Sequence, residues 1–155
     1  MQWLESITQV SLGLWVGAMG GFAATAPLLF SAFGSERQRA GDLAGAMIWR
    51  LNNVGMILGA LALLTLVPRL KSGLNRWRAG LVTGALALSL AGALYIFPQM
   101  EKARPPVPIE QLDPSDPARV NYNRWHKASE RIFGVAILLG AGALVLGPFG
   151  KAGRQ

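Results

Sequence analysis

Four long runs of apolar residues, separated by polar segments, dominate the pattern of this chain. The runs cover about residues 6–33, 46–67, 79–97 and 130–149. Each is long enough to cross the roughly 30 Å hydrocarbon core of a bilayer, because a helix rises about 1.5 Å per residue. No basic segment precedes the first run, so we expect a permanent span and not a cleaved signal peptide. The pattern predicts an all-α fold, a four-helix transmembrane bundle in a single domain over residues 1–155.

The segments between the runs indicate where the helices begin. Ser35 and Gln38 have the spacing of a capping box, and Asp116 followed by Pro117 fits an N-cap with Pro at the first helical position. The second and fourth helices should therefore extend beyond the bilayer on one face. The third run should end at a proline, and the Pro-rich loop over 100–119 favours extended and turn conformations.

Composition supports a membrane protein. The chain is 52% hydrophobic and 15% charged, whereas soluble domains carry about 25% charged residues. Its net charge of +7 lies in the segments between the apolar runs, which is typical of loops beside a bilayer and not of a nucleic-acid-binding surface. The expected partner is therefore the lipid bilayer, with no nucleic acid.

The distribution of basic residues gives an orientation. Four spans put both termini on one face of the membrane. The face with the termini carries six basic residues and the other face nine, so the raw count favours the other face as the cytoplasmic one, although five of the nine lie on helix extensions or at helix ends. The short loop over 69–78 is dense in basic residues and contains no acidic residue, which favours the face with the termini. We therefore expect cytoplasmic termini.

Few kinds of chemistry are open to this chain. It has no Cys and a single His, His126, so neither a thiolate site nor a site with several His ligands can form. No motif for an activated nucleophile or for a phosphate-binding loop is present. We expect no enzymatic activity and no metal site, and the cofactors stay unknown. Haem ligation through His126 is an alternative, although no attachment motif accompanies it.

A stripe of small residues runs along the first span. Gly13, Gly17 and Gly21 recur every four residues, which makes one smooth helix face. Helix association in lipid depends on such close approach. The stripe predicts helix packing within the bundle, with a dimerisation face or a substrate groove as the alternative.

Polar residues near the ends of two spans form the candidate site. They are Arg50, Asn52, Asn53, His126, Ser129 and Glu130. Both helices enter the membrane from the same face, so the two groups should lie at a similar depth, and polar groups at that depth are functional candidates. The simplest interpretation is a structural ion pair between Arg50 and Glu130. The alternatives are a polar vestibule for a small substrate or ion, and a proton relay through His126 and Glu130.

Three of these segments resemble a known family. The run over residues 14–30, the string over 50–55 and the H-x-x-S over 126–129 occur in order and spacing that resemble the transmembrane-protein-205-like proteins, in bacteria the domain of unknown function 4149. The resemblance implies a four-helix protein of the bacterial plasma (inner) membrane with no established enzymatic activity. It carries over these positions of interest: Trp15, Gly17, Pro27, Arg50, Asn52, His126 and Ser129.

Two hypotheses for function remain open on these observations. The first is a membrane protein that binds or exports a small molecule through the polar cluster near one face; export would need a homo-oligomer, because four short helices enclose little volume. The second is a non-catalytic accessory subunit that stabilises a larger membrane complex, for instance an energy-transducing one with pigments or redox centres.

Overall fold

The protein folds into long helices, as the apolar pattern predicts. The computed structural model describes the backbone of residues 2–34 and 36–152, and the side chains of this part as far as Gly147. The helices are α1 (Gln2–Ala32), α2 (Arg37–Leu66), α3 (Gly73–Ala91), α4 (Phe97–Lys102) and α5 (Pro117–Ala152). Four stretches are long and apolar enough to cross a membrane: Gln2–Ala32, Arg37–Arg69, Gly73–Lys102 and Pro117–Gly147. The all-α, four-span fold class is therefore confirmed.

The four long helices close into a ring. α1 packs against α2 and α5, and α3 packs against the same two helices from the other side. The start of α1 therefore lies beside the end of α5, where Gln9 faces Gly147. Both chain ends are consequently at one end of the bundle, which we call the terminal end, and the α1–α2 turn and the Pro-rich loop are at the other.

The half of the bundle near the terminal end is close-packed. Its core is centred on Trp15, which is 3% exposed and donates its indole N–H to the sulfur of Met19 at 3.1 Å. The ring lies against Gly55 and Gly59 of α2 so closely that a Cβ added at Gly59 would come within 2.9 Å of it. Two missing side chains on α2 thus make the notch that accepts the largest side chain of the core.

The glycine stripe of α1 is not part of this close-packed contact. A Cβ added at Gly13, Gly17 or Gly21 would meet no atom within 4 Å, and Gly17 and Gly21 are exposed. The prediction that these glycines pack the helices of one bundle is therefore wrong for this structure. Successive helical residues are about 100° apart, and the inward face of α1 is the one that carries Leu12 and Trp15. The close approach between helices comes from the glycines of α2 instead.

Helix boundaries differ from the prediction at one proline. The third span does not end at Pro98: a π-helical turn over Gly92–Ile96 precedes it, and α4 continues through it to Lys102. The N–H of Phe97 donates to Gly92, five residues back, so the turn before the proline is wider than an α-turn. The wider turn leaves space for the proline ring of Pro98. The connection between α4 and α5 is therefore shorter than the predicted 100–119: it covers residues 103–116, which we call the strap.

The two helix starts agree with the sequence. The N–H of Ala118 donates to Asp116 at 2.8 Å and α5 begins at Pro117, as the capping pattern predicts. α2 begins at Arg37, well before its uncharged part. Ser35, the proposed cap of α2, lies outside the described residues.

Candidate functional site

A cavity occupies the half of the bundle away from the terminal end. Its volume is about 420 Å³, and all four long helices line it; we call it the inner cavity. Most of its wall is apolar, with Phe22 and Phe133 on two different helices. The polar side chains in its wall are Asn52, Ser89, Tyr122, His126, Ser129 and Glu130. The arrangement is a mostly apolar chamber with a small number of hydrogen-bonding groups.

The charged groups of the inner cavity lie at its rim. His126 Nε2 is 3.2 Å from a carboxylate oxygen of Glu130, one helical turn further along α5. Both side chains stay about half exposed or more in the isolated chain, and the ring of Tyr122 stacks on that of His126 with centroids 6.1 Å apart. The predicted sharing of one face by His126 and Glu130 is therefore met, and both residues are within reach of a molecule in the cavity.

A buried polar pair lies deeper in the wall. Asn52 is 5% exposed and donates its side-chain amide to the carbonyl of Ser89 at 3.2 Å. The hydroxyl of Ser89 is buried and has no hydrogen-bond partner among the described residues. The π-helical turn begins three residues later, and π-bulges often occur at functional sites. The Ser89 hydroxyl is thus an unsatisfied group that lies buried behind the surface of the cavity.

Two of the predicted site residues lie outside the cavity. Arg50 is exposed and makes no salt bridge to Glu130, whose partner is His126, and Asn53 does not line the cavity either. The reason is helical geometry: Asn52 faces inward, so Arg50, two residues earlier, lies about 200° around the helix. The predicted Arg50–Glu130 ion pair is wrong. The structure brings together Asn52, Ser129 and the His126–Glu130 pair.

A second polar cluster, at the terminal end, was not predicted from sequence. Glu5 of α1 forms ion pairs with Arg69 and with Arg78, the latter at 3.0 Å, and Arg78 is 1% exposed. Arg78 also donates its Nε to the carbonyl of Ala143 on α5 at 3.0 Å. Nearby, the hydroxyls of Thr8 and Thr65 are 2.8 Å apart. The cluster joins all four spans, which indicates a structural role.

The missed cluster had a weak signal in the sequence. Glu5 is the one acidic residue in the first helix, and Arg78 directly precedes an apolar run. Because both residues lie outside the apolar runs, the sequence favours positions outside the lipid for their charges. In the structure, neighbouring helices that are remote in the sequence bury them.

The strap is attached to the bundle by a salt bridge. Arg104 pairs with Asp42 of α2, and its second contact is with Glu101 at 3.8 Å. Partial burial by itself would lower the pKa of the Arg104 guanidinium, but the hydrogen bond to Asp42 and the negative charges of Asp42 and Glu101 together raise the pKa above its ordinary value. Arg104 therefore stays charged and keeps the strap close to the start of α2.

Comparison with known proteins gives a family and no close relative. No curated protein and no solved structure matches the chain significantly. A family model described as Domain of unknown function (DUF4149) matches residues 10–105, more than half of the chain. The match covers the first three spans and Asn52, while His126 lies beyond it, and the wider resemblance to transmembrane-protein-205-like proteins stays a prediction. The chain belongs to the DUF4149 family of membrane proteins.

Proposed function

We propose that this protein binds a small amphipathic molecule in the inner cavity, without a catalytic step. The observation that carries the proposal is an apolar chamber of about 420 Å³ with polar side chains, among them His126 and Glu130, at its rim. Pockets for small molecules have volumes of about 300–1,000 Å³ and combine apolar walls with a few polar groups that fix orientation. The inner cavity has this composition and this size.

The polar side chains at the rim support an amphipathic occupant. His126 and Glu130 are exposed at the cavity, whereas the rest of its wall is mostly apolar. A ligand with a polar group at the end of an otherwise apolar body would match both parts.

Binding explains the shape of the bundle better than export does. Within the described residues, the terminal half is packed around Trp15, and the Glu5–Arg78 cluster lies beyond it. A molecule in the inner cavity therefore meets a packed core on one side. Export through one copy would require the core and the ion pairs to open together, whereas binding requires neither.

The test uses a substitution that fills the inner cavity and measures whether a bound molecule no longer accompanies the purified protein. Gly45 lines the inner cavity, and a Cβ added there would meet no atom within 4 Å, so Gly45→Leu should fill the space without a clash. Gly80→Leu is the matched control, because Gly80 is exposed, equally free of contacts and outside the cavity. Each protein is purified gently from its native membrane, and mass spectrometry identifies the small molecules that accompany it.

The expected result is a molecule bound in constant ratio to the wild type and to Gly80→Leu, and lost from Gly45→Leu. Circular dichroism and thermal melting check that all three proteins are folded. Equal amounts in all three proteins would show that the molecule lies on the lipid-facing surface, and the proposal would then be wrong.

A second candidate is an accessory subunit or a homo-oligomer. The observation that favours it is the outward position of Gly17 and Gly21, which leaves a smooth strip of α1 open to another helix. Small residues let helix backbones approach closely in lipid. Gly17→Leu should then remove the protein from a larger assembly on native gels while leaving the isolated chain folded. An unchanged assembly would count against this candidate.

We also propose a bacterial inner-membrane location with cytoplasmic termini. The location is supported by the family and by the four candidate spans of this chain. The orientation is supported by the short basic loop between α2 and α3. With this orientation, the rim of the inner cavity faces away from the cytoplasm.

A further inference from the structure

A second cavity lies next to the first, under the strap. Its volume is about 190 Å³, and we call it the outer cavity. Four residues line both cavities: Phe30, Gly41, Tyr122 and His126. The two chambers therefore meet at one partition, with the stacked rings of Tyr122 and His126 on one side of it. A molecule longer than the inner cavity would extend past these residues into the outer one.

The outer cavity differs from the inner one in charge. Arg37 and Arg104 line it, and the strap contributes Glu110 as the opposing carboxylate. Arg104 is engaged by Asp42, whereas neither Arg37 nor Glu110 forms a salt bridge within the described part of the chain. Arg37 is therefore the basic side chain of the outer cavity that an external anion could contact, in competition with Glu110.

Backbone geometry adds positive charge beside Arg37. Arg37 is the first residue of α2, whose first turn has no acidic residue, and among the described residues no side chain caps this end of the helix. The carboxylate of Glu36, just before it, is engaged by Arg39. The first N–H groups of a helix have no partner within it, and they carry the positive end of the helix dipole. Arg37 and the helix end thus present donors and positive charge to the same chamber.

We propose that the ligand is a single-chain amphipath with an anionic head, a carboxylate or a phosphate ester. The inference rests on the proposed function. The apolar chain occupies the inner cavity, and the head passes the partition at Gly41 and contacts Arg37 in the outer cavity. Because the two chambers share the residues of one partition, a single chain that fills the inner cavity can place its head in the outer one.

Binding of matched probes tests this assignment. The full chain is reconstituted in nanodiscs of neutral phosphatidylcholine, and its affinity is measured for tetradecanoate, tetradecanol and tetradecyltrimethylammonium, with empty nanodiscs as background. Inorganic phosphate is added as a competitor, to separate a bound amphipath from a free-anion site. We expect tetradecanoate to bind most tightly and phosphate to compete poorly.

Two arginines supply the variant and its control. Arg37→Gln should weaken tetradecanoate binding by about tenfold, since a hydrogen bond to a charged group contributes about that much. Tetradecanol should be unaffected, and Arg37→Lys should restore much of the loss. Arg124→Gln is the control, because Arg124 is exposed on α5 and lies outside both cavities. Equal effects of the two Gln variants would overturn the role of Arg37.

The remaining outcomes separate this inference from the function on which it rests. If all three probes bind equally and Gly45→Leu abolishes their binding, the inner cavity is a binding site but the anionic head is wrong. Competition by phosphate at the concentration of tetradecanoate would replace the amphipath by a free anion. If none of the probes binds and Gly45→Leu retains every native molecule, both proposals fall.

Discussion

At the scale of single residues, the buried guanidinium of Arg78 is important for stability. Its side chain is 1% exposed, it pairs with Glu5 at 3.0 Å, and it donates a hydrogen bond to a carbonyl of α5. Without Arg78, the Ala143 carbonyl would lose this donor, and Glu5 would keep its ion pair with Arg69 alone. A buried polar group left without a partner is costly, so the bundle depends on this side chain.

Arg78→Met should destabilise the bundle by about 1–3 kcal/mol, the usual cost of a buried polar group without a partner, because the Ala143 carbonyl loses its donor while Glu5 keeps Arg69. Arg76→Met is the control: Arg76 is exposed near the start of the same helix, and surface substitutions usually change stability by less than about 0.5 kcal/mol. Thermal unfolding of both variants in one detergent measures the difference. Equal melting temperatures would mean that water reaches the Arg78 site.

Residue-level predictions from the sequence succeeded where neighbours along one helix decide the outcome. His126 and Glu130 meet because they are one turn apart, and Asp116 caps α5 as its position suggests. The predictions failed where the outcome depends on how a helix is rotated about its own axis. The sequence placed Arg50 and Asn52 in one cluster, although only Asn52 faces the cavity. No local pattern states which face of an all-apolar helix turns inward.

At the scale of elements, the contact between α1 and α2 depends on a notch and not on a stripe. Gly55 and Gly59 leave the space that the indole of Trp15 fills. The sequence showed glycines at helical spacing on several spans, and spacing alone does not distinguish a contact face from a lipid-facing one. What distinguishes them is the large side chain opposite, which belongs to another helix.

Gly55→Ala should destabilise the bundle by about 1–3 kcal/mol, the usual cost of overpacking, because the added Cβ would overlap the Trp15 ring. Gly13→Ala is the control on the partner helix, since a Cβ there meets nothing within 4 Å. Thermal melting of the two variants gives the comparison. Combining Gly55→Ala with Trp15→Leu should recover part of the loss; full additivity of the two changes would contradict the notch.

For the whole molecule, the number of spans follows from the length of the apolar runs alone. The four predicted spans lie within the observed helices except for Phe33, one residue after α1, and Val67, which begins the 3-10 turn after α2. The division into a packed half and a hollow half could not be predicted. It depends on which side chains from four separate helices meet in the same layer.

Labelling from each side of the membrane tests the topology. The chain has no native Cys, so single cysteines introduced at Gly73, in the α2–α3 connection, and at Val107, in the strap, are the only thiols present. A membrane-impermeant maleimide added to intact spheroplasts should label Val107→Cys, and Gly73→Cys only after lysis. Labelling of both cysteines from one side would contradict the four-span fold, and the reverse pattern would invert the orientation.

The π-helical turn over Gly92–Ile96 has a consequence for the length of the chain. A π-turn closes over five residues where an α-turn closes over four, so this span holds one residue more than a regular helix between the same two neighbours. Deleting Leu94 should let the turn close as an α-helix while the faces before and after it keep their directions. A deletion at Ala87, inside α3, would rotate everything beyond it by about 100°. We therefore expect relatives that lack one residue to lack it in this turn, with a narrower inner cavity as the result.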